Sequence, residues 1–107
     1  MRGEARFDES QTAINVRRGD TFSVNLAGSP GATGIGWELV GSPKQLEFLG
    51  KSFEPDSDRW GAGGMERFGF RANTAGVETV NFELTCPFMP LPPAERKKHQ
   101  VTVTIDA

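Results

Sequence analysis

Cysteine is almost absent from this 107-residue chain. Cys86 stands alone, so no internal disulfide can form, and the fold must hold by packing in an oxidising or a reducing compartment alike. No apolar run reaches the length of a membrane-spanning helix, and no membrane partner is expected. Charge of one sign is lacking too: 12 basic against 14 acidic residues leave a net charge of −2. A duplex nucleic-acid binder needs a basic footprint to displace counterions, so no nucleic-acid partner is expected either. With one histidine and one cysteine the chain cannot close a zinc site, and no cofactor is implied. Helical periodicity, internal repeats and low-complexity tracts are also missing. The opening residues, "MRGEARFDES", are polar and unlike a secretory signal. That points to the cytoplasm, or to the periplasm or cell exterior if a leader has been removed.

What the chain does have is eight phenylalanines and two tryptophans within an apolar fraction of 36%. A single domain of this size buries about 65% of its unfolded surface, enough for one core without metals or staples. Residues 1–11 read as a flexible N-terminal segment and residues 12–107 as the folded domain.

Hydrophobicity alternates with period two. "TFSVNL" sets Phe22, Val24 and Leu26 against Thr21, Ser23 and Asn25. "RFGFRA" sets Phe68, Phe70 and Ala72 on one face. "TVNFEL" does the same with Val80, Phe82 and Leu84, and "QVTVTID" with Val101, Val103 and Ile105. Such alternation describes antiparallel strands with one buried and one wet face. Weaker strands are "TAINV", "WELV" and "LEFLGKSF". Together they predict an all-β, immunoglobulin-like antiparallel β-sandwich of about seven to eight strands, with a six-stranded barrel as the competitor. Trp37 would be the large core residue of the third strand.

The connections are uneven. "SPGATGIGW", residues 29–37, crowds Gly31, Gly34 and Gly36 ahead of a tryptophan. Gly36 sits where a strand should already have begun, which suggests a special turn or a close approach. "EPDSDRWGAGGM" and "CPFMPLPPAERKKH" are longer than the two to five residues a hairpin needs. Long loops on a compact sandwich usually carry function. In this topology all three leave from the same end. Trp60 beside three glycines, and Phe88 stiffened by Pro87, are the kind of groups that anchor interfaces at low ordering cost.

Other motifs have plain structural readings. Cys86 and His99 flank the last hairpin and could form a thiolate–imidazole pair, but no oxyanion donor or orienting third group accompanies them. The plainer reading is a partly exposed thiol and a solvated histidine next to Arg96, Lys97 and Lys98. Asp56, Asp58 and Gly61 partly match a calcium loop, but Trp60 and Arg67 occupy ligand positions. Arg18-Gly19-Asp20 resembles an integrin-binding triplet, yet it lies between two strands where a tight turn wants these residues.

The three loops in order resemble the chagasin family, protein inhibitors of papain-like cysteine peptidases. The family motifs are Asn-Pro-Thr-Thr-Gly, an aromatic and then Trp; Gly-x-Gly-Gly; and Arg-Pro-Trp or Arg-Pro-Phe. They are met here by "GATGIGW", "GAGG" and "CPF", and the likeness extends over about residues 14–105. The Asn-Pro pair is missing in register, with Pro30-Gly31 or, with one inserted residue, Ser29-Pro30 in its place. Ala32 replaces the first Thr, Ile35 the aromatic, and Cys86 the Arg. The resemblance implies a monomeric, non-enzymatic inhibitor that acts reversibly and without a covalent bond. Its peptidase contacts would be Gly31, Ala32, Thr33 and Gly34 in the first loop. Trp60, Gly61, Ala62, Gly63 and Gly64 would serve in the second, and Pro87 and Phe88 in the third. An immunoglobulin-like adhesion or assembly module without a peptidase target is the alternative.

The pattern places Trp37 in the core. Trp37→Ala should therefore cost about 3–5 kcal/mol of folding stability, measured by urea unfolding.

Overall fold

Alternating sequences become strands because one face can then be withdrawn from water while every backbone group stays paired. The structure, a computed structural model, describes residues 5–28, 36–55, 64–86, 91 and 97–107. Eight strands make up these residues. They are β1 (Ala5–Asp8), β2 (Ala13–Arg17), β3 (Thr21–Gly28), β4 (Gly36–Val40), β5 (Leu46–Pro55), β6 (Gly64–Ala72), β7 (Gly76–Thr85) and β8 (Lys98–Asp106). One sheet has the order β1-β3-β6-β5 and the other β2-β8-β7-β4. The chain is an all-β sandwich, not a barrel.

The inward residues are those the alternation selects. Phe22, Val24, Leu26, Phe68, Phe70, Val80, Phe82, Val101 and Val103 are buried between the sheets. Phe68 of one sheet meets Phe82 of the other edge-on, with ring centroids 4.7 Å apart, and Phe22 stacks on Phe70 at 5.5 Å. Offset and edge-on pairs of this kind add to the area they bury. Ile14, Val16, Trp37, Leu46, Ala72 and Ile105 complete the core.

Three features depart from the sequence reading. Pairing is antiparallel inside both sheets, but the edge strands β1 and β2 pair in parallel with β3 and β8. The two strands are joined by a short turn yet fall into different sheets, each beside a strand running its own way. β1 itself lies within the segment 1–11, where Phe7 packs edge-on against Phe22. In the turn that follows, the Ser10 hydroxyl and N–H both donate to Asp8 Oδ1 and hold that carboxyl below its ordinary range. Finally, the supposedly wet face of β3 is covered: Ser23 and Asn25 are buried, and Asn25 Nδ2 donates to Ser23 Oγ at 3.0 Å and to the Phe7 carbonyl at 3.2 Å.

Arg18-Gly19-Asp20 is the turn from β2 to β3. Asp20 Oδ2 accepts from the Arg17 N–H at 3.0 Å, and the Asp20 N–H returns to the Arg17 carbonyl at 3.0 Å. The carboxylate that an integrin would need thus serves the turn. Gly19 has φ +94°, a region that a Cβ makes costly. Gly19→Ala should lower stability by about 1–2 kcal/mol in urea unfolding, with the fold retained.

Candidate functional site

The strand register determines which strand ends are neighbours. At the close of β3, Gly28 lies opposite Gly64, the first residue of β6, and Gly64 lies opposite Pro55, the last of β5. In the second sheet Gly36, which opens β4, lies opposite Thr85, which closes β7. The Leu84 N–H donates to the Lys97 carbonyl at 2.8 Å, so the start of β8 is there as well. The two sheets meet at this pole: Trp37 Nε1 of β4 donates to the Ala27 carbonyl of β3 at 3.0 Å. The six strand ends that bound segments 29–35, 56–63 and 87–96 therefore share one end of the sandwich.

At the centre of this pole is a residue the sequence reading did not single out. Glu66 is inward-facing on β6, its side chain 1% exposed. Its Oε2 accepts from the Trp37 backbone N–H at 2.9 Å. Its Oε1 faces the Lys51 ammonium at 3.1 Å, an ion pair without the alignment of a hydrogen bond. Lys51 Nζ also donates to the Trp37 carbonyl, lies 5.5 Å from the centre of the Phe68 ring, and is 3.7 Å from Glu38 Oε1. A buried carboxylate persists only with such compensation.

Gly28 and Gly36 are explained by the same carboxylate. A Cβ on Gly28 would lie 2.5 Å from Glu66 Oε2, and one on Gly36 would lie 2.9 Å from Oε1. The close approach that Gly36 permits is thus to the chain's own Glu66. Extending the alternation of Phe68, Phe70 and Ala72 two residues back would have put Glu66 on the inward face, which is the signal that was available. Trp37, the core residue expected from the sequence, is 6% exposed.

Of the residues singled out for peptidase contact, Gly64 is described: it is buried where β6 begins. Gly31, Ala32, Thr33, Gly34, Trp60, Gly61, Ala62, Gly63, Pro87 and Phe88 lie outside the described residues, as do Asp56, Asp58 and Gly61 of the calcium-loop pattern. Leu91, within the last connection, is buried.

The thiolate–imidazole pair does not form. His99 lies opposite Phe82 on β7, four residues before Cys86, which is roughly 13 Å along a strand. Nor is His99 a solvated rim residue: its ring packs 6.5 Å from Trp37 and 6.3 Å from Phe82, with Nε2 buried. Among the described residues no group of His, Cys, Asp and Glu could hold a metal ion.

Comparison with known proteins agrees with this architecture. The profile of the chagasin family peptidase inhibitors I42 matches residues 15–105. The chain belongs to the chagasin family. It is 33% identical over 81 residues to chagasin of Trypanosoma cruzi, covering 70% of this chain and 73% of that protein. Among solved structures, amebosin superposes with a TM-score of 0.77 at 18% identity, over 97% of this chain and 99% of its own. The cysteine protease inhibitor EhICP2 from Entamoeba histolytica gives 0.72 at 14% identity, over 94% of each chain. PbICP-C, in its complex with falcipain-2, gives 0.62 at 15%, over 96% of this chain and 91% of its own. As a chagasin-family member the protein is a cysteine protease inhibitor and not an enzyme.

Trp37→Phe keeps most of the buried ring but leaves the Ala27 carbonyl without its indole donor. It should cost about 1–3 kcal/mol in urea unfolding, less than Trp37→Ala.

Proposed function

We propose that this protein inhibits papain-like cysteine peptidases by inserting segments 29–35, 56–63 and 87–96 into the active-site cleft, reversibly and without a covalent bond. The observation that carries this reading is the common pole: Gly28, Gly36, Pro55, Gly64, Thr85 and the residues opening β8 are strand ends on one side of the molecule. The segments they bound, with the residues that adjoin them, carry the stretches "GATGIGW", "GAGG" and "CPF". A structurally similar inhibitor occurs in complex with falcipain-2, which gives the target class a precedent.

In this reading Thr33 and its neighbours Gly31, Ala32 and Gly34 approach the catalytic cysteine and histidine, where a backbone with few side chains fits a narrow cleft. Residues 60–63, which run into the buried Gly64, and the Pro87–Phe88 pair grip its two walls, with Phe88 against an apolar or aromatic surface. An interface of about 1,600 Å² is sufficient, and its affinity depends on how rigidly the segments are held more than on area. Cys86, where the family has Arg, removes one charge-assisted contact from the third segment.

Titration of papain or a cathepsin tests the proposal directly. Stoichiometric loss of activity, recovered on dilution, is expected. Thr33→Ala and Phe88→Ala should each weaken inhibition about tenfold or more while leaving the melting temperature nearly unchanged. Undiminished activity at micromolar protein across a panel of such peptidases would refute it.

A further inference from the structure

β4 is the edge strand of its sheet, so the N–H and C=O of Trp37 that point away from β7 have no strand to pair with. Both are nevertheless occupied. Glu66 accepts from the N–H and Lys51 donates to the C=O, and the two side chains pair with each other. An acceptor and a donor held side by side are what a neighbouring strand would offer. The ion pair therefore does the work of one missing strand residue, reaching from the first sheet to the edge of the second.

Its location gives this device a consequence. Trp37 and Gly36 are the residues at which segment 29–35 re-enters the sandwich, and Gly28 is where it leaves. Both glycines lie against the Glu66 carboxylate, and the Trp37 indole is tied back to Ala27. The two ends of the segment are thus referenced to one buried carboxylate.

We propose that Glu66 and Lys51 are positioning residues for inhibition. They fix the separation and direction of the two ends of segment 29–35 before the peptidase is met. This rests on the reading that segment 29–35 enters the cleft. Neither residue touches the enzyme. Lys51 reaches its place through the bulge at Phe48/Gly50, where the extra residue Leu49 shifts the strand by one and turns Lys51 to the face of Phe68. Without that shift the ammonium would face away from Glu66.

The test uses the full chain as wild type, Glu66→Gln, Lys51→Met, Lys51→Arg and Gly36→Ala, with Val103→Ala as a control that weakens the core away from this pole. Each variant is measured for its inhibition constant against papain and for backbone amide exchange by NMR. Glu66→Gln, Lys51→Met and Gly36→Ala should raise the inhibition constant about tenfold or more and speed exchange at Trp37, while Val101 exchanges as in wild type. Lys51→Arg, which keeps charge and donors, should remain within about threefold of wild type. Val103→Ala should lower the melting temperature yet leave the inhibition constant within about twofold.

Wild-type inhibition constants in Glu66→Gln and Lys51→Met, with faster exchange at Trp37, would make the pair structural only and overturn the proposal. So would loss of inhibition by Val103→Ala equal to theirs. If the wild type inhibits no papain-like peptidase, the functional reading fails instead. The anchoring is then judged by exchange alone: acceleration confined to the Trp37 region upholds it, and unchanged or uniformly faster exchange overturns it. Should Glu66→Gln fail to fold, Gly36→Ala, which presses on the same carboxylate from the other side, decides in its place.

Discussion

One carboxylate, withdrawn from water between two sheets, ties together the pole at which β3, β4, β5 and β6 begin or end. Glu66 belongs to β6 but spends its hydrogen-bonding capacity on β4 in the opposite sheet and its charge on Lys51 of β5. Burying a charge costs several kcal/mol, and an apolar residue in its place is often no less stable. The value of such a pair lies in geometry. Phenylalanine or leucine at this site could fill the space, but neither could accept the Trp37 N–H or set the spacing that Gly28 and Gly36 accommodate.

Lys51 makes the arrangement affordable. Its side chain remains 34% exposed, so Lys51 keeps part of its hydration while its ammonium lies over the Phe68 ring. A fully buried lysine would lose far more on leaving water. β5 and β4 are both edge strands, and Lys51 bridges them by donating to the Trp37 carbonyl. The same contact shields the edge of β4 from pairing with another chain, a liability that sandwiches must meet at every edge.

Much of this fold was legible in the sequence because its central strands obey a strict alternation. β3, β6, β7 and β8 bury the phenylalanines and valines that the period selects, and Trp37 is where a sandwich core needs it. β1 was not legible: four residues, with Ala5 and Phe7 alternating against Arg6 and Asp8, are too few to establish a period. Lys51 was hidden by the bulge in β5, since an extra residue inverts the parity on which alternation rests. Glu66 was hidden by its own chemistry. A charged residue reads as the end of a strand even where the alternation extends to it, and its partners, 15 and 29 residues away in sequence, explain why it is tolerated in the interior. His99 misled in the other direction, because the neighbouring lysines suggested a wet rim while pairing with Phe82 drew its ring inward.

The division of the molecule follows from these constraints. Aromatic packing at the centre sets stability, and it needs no polar partners. At the pole the apolar core runs out, and three chain segments begin from strand ends that packing alone would leave loosely defined. A binding surface built on such segments loses affinity to every rotamer and backbone angle it must order on contact. Directional interactions at their base reduce that loss before a partner arrives, because hydrogen bonds and ion pairs specify angles where dispersion contacts do not. A charge in the interior is therefore best placed where the core ends and the segments start. There its partner Lys51 can stay partly exposed, which lowers the cost of the pair, and the geometric effect falls on the strand ends at Gly28, Gly36 and Trp37.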